Sequence, residues 1–170
     1  MKNYIGISRD HSASMHGIAR HAAKDYNEQI AAITSAASQY QVDTIVTVVK
    51  CGVGCYGRVE RESVFSSASV LRPLNESSYS TNGNSTPLWD SIGELITIME
   101  SAPDAGDPNV SFVVMVITDG EENSSRNWSA CNLMRKIQQL QNTGRWTFSF
   151  RVPRGSSRSL ENFGVPRVLS

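Results

Sequence analysis

Between Phe112 and Ile117 the chain reads Phe-Val-Val-Met-Val-Ile, with no polar residue on either parity. A strand with one wet face alternates apolar and polar side chains. An unbroken apolar run must instead be covered on both faces, as in a parallel sheet flanked by helices. The segment Asp43–Lys50 (Asp-Thr-Ile-Val-Thr-Val-Val-Lys) is rich in β-branched residues and reads as a second buried strand. Residues 3–8 form a shorter apolar run that closes in Ser-Arg-Asp, a first strand.

Helices fall between these runs. Ile18, Ala22, Tyr26, Ile30, Ile33 and Ala37 recur at spacings of three and four, which predicts an amphipathic helix from His16 to Gln39. Thr86-Pro87 opens another, with Thr as N-cap and Pro at the first helical position. Its apolar face is Leu88, Ile92, Leu95, Ile96 and Met99. A third carries Trp128, Cys131, Met134, Ile137 and Leu140 and stops at Gly144. Trp146, Phe148, Phe150 and Val152 then alternate with polar residues as a strand. A short helix at 156–163 and a last strand at 165–169 complete the reading. Arg58–Val64, charged and irregular, is expected at a sheet edge, and the serine-rich stretch 66–85 is expected to be a long loop.

Strands alternating with helices imply an α/β fold with a doubly wound, mostly parallel central sheet and helices on both faces. The length of 170 residues suits a single domain, 1–170. Sixteen basic residues balance sixteen acidic ones, so no basic excess points to nucleic acid or an anionic membrane as partner. No apolar stretch approaches the roughly 18 residues of a membrane helix, and the N-terminal run is too short for a signal peptide. Three cysteines, Cys51, Cys55 and Cys131, cannot all pair within the chain, which suits a reducing, cytoplasmic compartment.

Folds of this kind build their sites at the carboxyl ends of the strands. There the first strand is followed by Asp10-His11-Ser12-Ala13-Ser14, the central strand by Thr118-Asp119-Gly120, and the loop before Pro87 supplies Thr86. Two carboxylates and three hydroxyls converging on one crevice suit a hard cation, Mg²⁺ or Mn²⁺. Zinc would want His or Cys. Neutral hydroxyls leave the ion much of its charge, so it has reason to recruit a further carboxylate from a partner protein.

Asp-x-Ser-x-Ser at 10–14, Ser-Thr-Pro-Leu-Trp-Asp at 85–90 and Ile-Thr-Asp-Gly-Glu-Glu at 117–122 together resemble the von Willebrand factor type A domain family and its metal-ion-dependent adhesion site. The three motifs stand in family order over nearly the whole chain. The resemblance implies that Ser12, Ser14 and Thr86 contact the metal through hydroxyls, with Asp10 and Asp119 acting directly or through water. It also implies an antiparallel edge strand, which the 58–64 segment suits, and a non-enzymatic role in binding an acidic residue of another protein. Bacterial and phage-type relatives are often intracellular. Ala13 stands where many relatives carry Gly, a change tolerated where φ is negative. Relatives usually continue beyond the point that Ser170 reaches, with a final strand and a helix.

Other readings compete at several positions. Gly52-Val-Gly54-Cys-Tyr-Gly57 matches G-x-G-x-x-G, but no helical pattern follows to receive a pyrophosphate, so a hairpin turn is expected. Cys51 and Cys55 lack a second C-x-x-C and read as free thiols. His11, His16 and His21 lie near the serines, yet no oxyanion-hole motif or nucleophile elbow accompanies them, and His11 is expected at the rim of the metal loop. Glu121 and Glu122 are expected in solvent at a helix start. A metal-dependent phosphohydrolase would use the same carboxylates, but Arg9 is the one cation within the three motifs. A structural domain with a vestigial metal site is the remaining alternative.

Overall fold

The computed structural model describes residues 1–152 together with Val168 and Leu169. In chain order the elements are β1 (Lys2–Asp10), a 3-10 turn (Ala13–Ile18), α1 (Ala19–Tyr40), β2 (Asp43–Val53), β3 (Arg58–Ser67), a 3-10 turn (Ala68–Val70), α2 (Leu88–Glu100), β4 (Val110–Ile117), α3 (Ala130–Asn142), β5 (Trp146–Arg151) and β6 (Val168–Leu169). The helix expected at 156–163 lies outside the described residues.

The strands form one sheet in the order β3-β2-β1-β4-β5-β6. All pairings are parallel except β2 with β3. Strand β1 is thus flanked by β2 on one side and β4 on the other, and the chain reverses its direction of travel across the sheet between them. Alternation along the strands divides the core in two. Tyr4, Phe112, Val114, Val116, Phe148 and Phe150 pack with α2 and α3. Ile5, Ile7, Val46, Val48 and Ile117 pack with α1 through Ala22, Tyr26, Ile30 and Ile33. The apolar face expected on α2 is wholly buried: Leu88, Ile92, Leu95, Ile96 and Met99 are each 0% exposed. Burial of each such side chain contributes about 1.5–3 kcal/mol.

The chain differs from the sequence reading at several boundaries. The first helix begins in a 3-10 turn and becomes α-helical only at Ala19. Strand β3 is longer than expected and runs antiparallel to β2 through the turn at residues 54–57, so the G-x-G-x-x-G match is a hairpin and no helix follows it. Thr86 is not an N-cap. Pro87 flanks α2 with ψ 65°, outside the helical region, and forms no side-chain cap. Strand pairing at the last strand is seen for Val168 and Leu169, opposite Phe150 and Arg151. Trp128 precedes α3, whose cap is Ser129, and Cys131 is exposed instead of lying on the apolar face. Gly144, with φ 73°, ends that segment as expected.

Candidate functional site

Asp10 is the last residue of β1 and is fully buried. Its Oδ1 accepts from the Ser12 amide at 2.9 Å and from the Ser12 hydroxyl at 2.6 Å. Its Oδ2 accepts from the Thr118 hydroxyl at 2.8 Å. The Ser12 and Ser14 hydroxyl oxygens lie 3.0 Å apart. Three of the five expected residues are therefore gathered into one hydrogen-bonded cluster, with Ser14 on its exposed side. Burial raises the Asp10 pKa to about 6, the hydrogen bonds from Ser12 and Thr118 work against that rise, and the charge of Asp119 adds to it. The two carboxylates thus lie within electrostatic reach of each other.

Asp119 lies one residue beyond Thr118, just past the end of β4, and is half-buried. Its Oδ1 accepts from the Glu121 amide at 3.0 Å, which turns the loop back at once. Thr86 is buried and is held by its main chain: the Asn123 side chain accepts from the Thr86 amide at 2.8 Å, and the Asn123 amide donates to the Thr86 carbonyl at 3.0 Å. This clamp ties the Thr86 loop to the Asp119 loop. The same loop also closes the start of α2, because Glu122 accepts from the Trp89 amide at 3.2 Å and Ser125 from the Asp90 amide at 2.9 Å. Glu122 therefore does not stand solvated at the start of a helix of its own; it lies in a loop and caps α2 from across it.

The Ser12 segment is tied to the third loop through a parallel bridge with Gly83. The Ala13 amide donates to the Gly83 carbonyl at 2.8 Å, and the Gly83 amide to the His11 carbonyl at 3.2 Å. Gly83 passes so close to β2 that a Cβ there would lie 1.4 Å from the Gly52 carbonyl oxygen. Ala13, in turn, is not among the residues with positive φ, so the position that is Gly in many relatives of the resembled family carries no backbone strain.

His11 corrects the expectation of a rim residue. Its ring is 2% exposed and turns under the site, stacked on Tyr79 at 4.5 Å between centroids. Nδ1 bonds the Ser80 carbonyl at 2.6 Å, and Nε2 accepts from Arg9 Nε at 3.2 Å. Burial, reinforced by the nearby Arg9 charge, lowers its pKa to about 4. Arg9 is itself buried, paired with Glu62 and seated over the Tyr26 ring at 4.5 Å. Tyr79 donates to the Asp10 carbonyl at 2.7 Å, so the serine-rich loop is anchored directly beneath the site.

Thr118, Asn123, Tyr79 and Gly83 are site-building residues that the sequence reading did not single out. Thr118 had a visible signal: a hydroxyl closing a strand covered on both faces must find a buried partner. The others act across long sequence separations that leave no local pattern.

Among the described residues no three His, Cys, Asp or Glu side chains gather as a metal site. An ion at this crevice would rest on hydroxyl as well as carboxylate oxygens, a set that fits Mg²⁺ or Mn²⁺ and does not fit zinc. Cys51 is buried beneath it, and burial raises its thiol pKa well above the usual value. All three cysteines are free. No helix among the described residues is long and apolar enough to cross a membrane.

No family model matches the sequence, and comparison with curated proteins yields no match. Among solved structures the fold is similar to proximal thread matrix protein 1 from the mussel byssus. One crystal form aligns with a TM-score of 0.59 at 13% identity over 100% of this chain and 44% of that chain. A second structure of the same protein aligns with a TM-score of 0.54 at 12% identity over 89% of this chain and 36% of that one. The chain thus spans less than half the length of either. At that identity the likeness concerns the mixed α/β fold alone.

Proposed function

We propose that this chain is a metal-dependent protein-interaction module of the von Willebrand factor type A family, with the doubly wound sheet of that family. It takes Mg²⁺ or Mn²⁺ at Asp10, Ser12, Ser14, Thr86 and Asp119 and uses the ion to bind an Asp or Glu carboxylate of another protein. The observation that carries this reading is the oxygen cluster at the carboxyl ends of β1 and β4. There the buried Asp10 carboxylate accepts from the Ser12 and Thr118 hydroxyls, the Ser14 hydroxyl joins Ser12, and the charge of Asp119 is near enough to add to the rise in the Asp10 pKa.

An ion held mainly by neutral hydroxyls keeps an uncompensated charge, which a partner carboxylate neutralises. Buried Asp10, with hydrogen bonds on both oxygens, serves to orient Ser12 and Thr118 around that position. The proposed activity is binding and not turnover. Arg9, the one cation in the three motifs, is committed to Glu62 and turned away from the crevice, so no basic side chain in the motifs is left to stabilise a transferring phosphoryl group. The free thiols support a cytoplasmic setting.

Titration of free Mn²⁺ by electron paramagnetic resonance tests the reading. One ion per chain is expected for the wild type, with loss of binding in Asp119→Ala and in Ser12→Ala, and no phosphoester turnover in the loaded protein. Absence of bound Mn²⁺, or metal-dependent hydrolysis abolished by the same substitutions, would contradict it.

A further inference from the structure

Beside the crevice lies an open cleft of about 730 Å³, between the β2–β3 hairpin tip and the loop that follows Asp119. Ser85 and Pro87, the neighbours of Thr86 on both sides, line it, as do Tyr56, Arg58, Ser124 and Arg126. The cleft therefore adjoins one of the five residues assigned to the ion.

Three arginines and two carboxylates line it. The carboxylates are Asp90 and Glu94. Asp90 accepts from the amides of Arg126, Asn127 and Trp128 at 2.8, 3.0 and 2.9 Å, and Glu94 accepts from Arg61. Arg58 and Arg126 form no ion pair among the described residues. Arg61 and Glu94 cancel as a pair, and the Asp90 carboxylate, whose amide donors are neutral, stands against Arg58 and Arg126, so the cleft keeps an excess of one guanidinium charge. Tyr56 stands at its mouth, 81% exposed, an amphipathic ring of the kind concentrated with Arg at binding hot spots. Ser124, half-buried in the lining, has a hydroxyl without a hydrogen-bond partner among the described residues.

We infer that this cleft is a second anchoring point for the partner. The partner segment is an acidic peptide that places one carboxylate on the ion and further carboxylates on Arg58 and Arg126, with Tyr56 packing along its backbone. This rests on the metal reading above but is carried by different residues. Guanidinium groups hold carboxylates in a planar, two-bond geometry, so the cleft selects for acidic sequence around the ion-binding residue.

The test uses two fluorescent peptides on the whole chain. One holds a single Asp in a Gly-Ser background; the other follows that Asp with a short run of Glu. In Mg²⁺ the acidic-run peptide binds the wild type about tenfold more tightly than the single-Asp peptide. The double substitution Arg58→Gln and Arg126→Gln, checked for native circular dichroism, removes that preference and leaves single-Asp binding unchanged. Retention of the preference in the double variant overturns the inference. So does tighter binding of a single-stranded thymidine oligonucleotide through the same arginines, since the cleft would then read phosphate. Chelator separates the two readings. If the arginine-dependent preference persists while no binding depends on metal, the cleft stands and the metal reading falls.

Discussion

The Thr118 hydroxyl donates to Asp10 Oδ2 at 2.8 Å, joining the last residue of β1 to the residue that follows β4. The same oxygen of Thr118 accepts from the Gly120 amide at 3.0 Å, which bends the chain around Asp119. One hydroxyl therefore sets both the buried carboxylate and the turn that carries the second one. Thr118→Val keeps the shape and removes the donor. It is expected to cost about 1.5–3 kcal/mol at pH 8, where Asp10 is ionised, and less at pH 4, where the bond is to a neutral acid. Urea unfolding at the two pH values measures this; equal losses would show that the bond to Asp10 carries no charge.

Asp10 gives the metal-free protein a pH dependence of definite sign. Its pKa rises from the ordinary 3.8 to about 6 in the fold, chiefly through burial. The folded state thus holds the proton more tightly than the unfolded state. Relative to Asp10→Asn, the chelated wild type loses about 3 kcal/mol as pH rises from 4 through 6, and the penalty is absent below the unfolded value. Unfolding free energies of both proteins across this range check the slope. A wild type that gains stability over Asp10→Asn on the same rise would reverse the assignment.

His11 acts in the opposite sense. Burial lowers its pKa from 6.5 to about 4, so the unfolded state takes up the proton first. Relative to His11→Gln, stability is undiminished above pH 6.5 and falls by about 3 kcal/mol on acidification toward pH 4. Between pH 4 and 6 the two residues oppose each other. The wild type alone is therefore expected to show a shallow pH profile, and each single variant a steep one.

Gly83→Ala tests the closure of the loops. The added methyl would meet the Gly52 carbonyl at 1.4 Å, where neither backbone can yield without breaking the Ser12–Gly83 bridge. A loss of about 3 kcal/mol or more is expected in thermal or urea unfolding, together with weakened Mn²⁺ binding. Wild-type stability would mean that the Thr86 loop is not held where the bridge places it.

Much of the sheet was legible because its signals are local. The unbroken run at Phe112–Ile117 could only be a strand covered on both faces, and it pairs with β1 and β5 on its two sides. The charged 58–64 segment could only tolerate an edge, and β3 is one. What escaped is long-range. Thr86-Pro87 looks like a helix start, but the first amides of α2 are satisfied by Glu122 and Ser125, more than thirty residues later. With its amides capped from outside, the helix has no need of a local cap, and Pro87 is left outside the helical region. His11 reads as exposed because it sits in a polar loop. It is buried because Tyr79, sixty-nine residues from Asp10, brings a ring under it. For the site, Asp10, Ser12 and Ser14 were legible from two-residue spacing, whereas the clamp on Thr86 depends on Asn123 and had no local trace.

The most direct measurement is thermal unfolding of the wild type and Asp119→Ala, each in chelator, Mg²⁺, Mn²⁺ and Ca²⁺. An ion that binds only the native state adds about 2.7 kcal/mol at a hundredfold excess over Kd, a rise of about 5–10 °C for a chain of this size. That rise is expected with Mg²⁺ or Mn²⁺ in the wild type and is expected to be absent in Asp119→Ala. Identical melting of both proteins in chelator and in saturating Mg²⁺ or Mn²⁺ would contradict the assignment of these five residues to an ion.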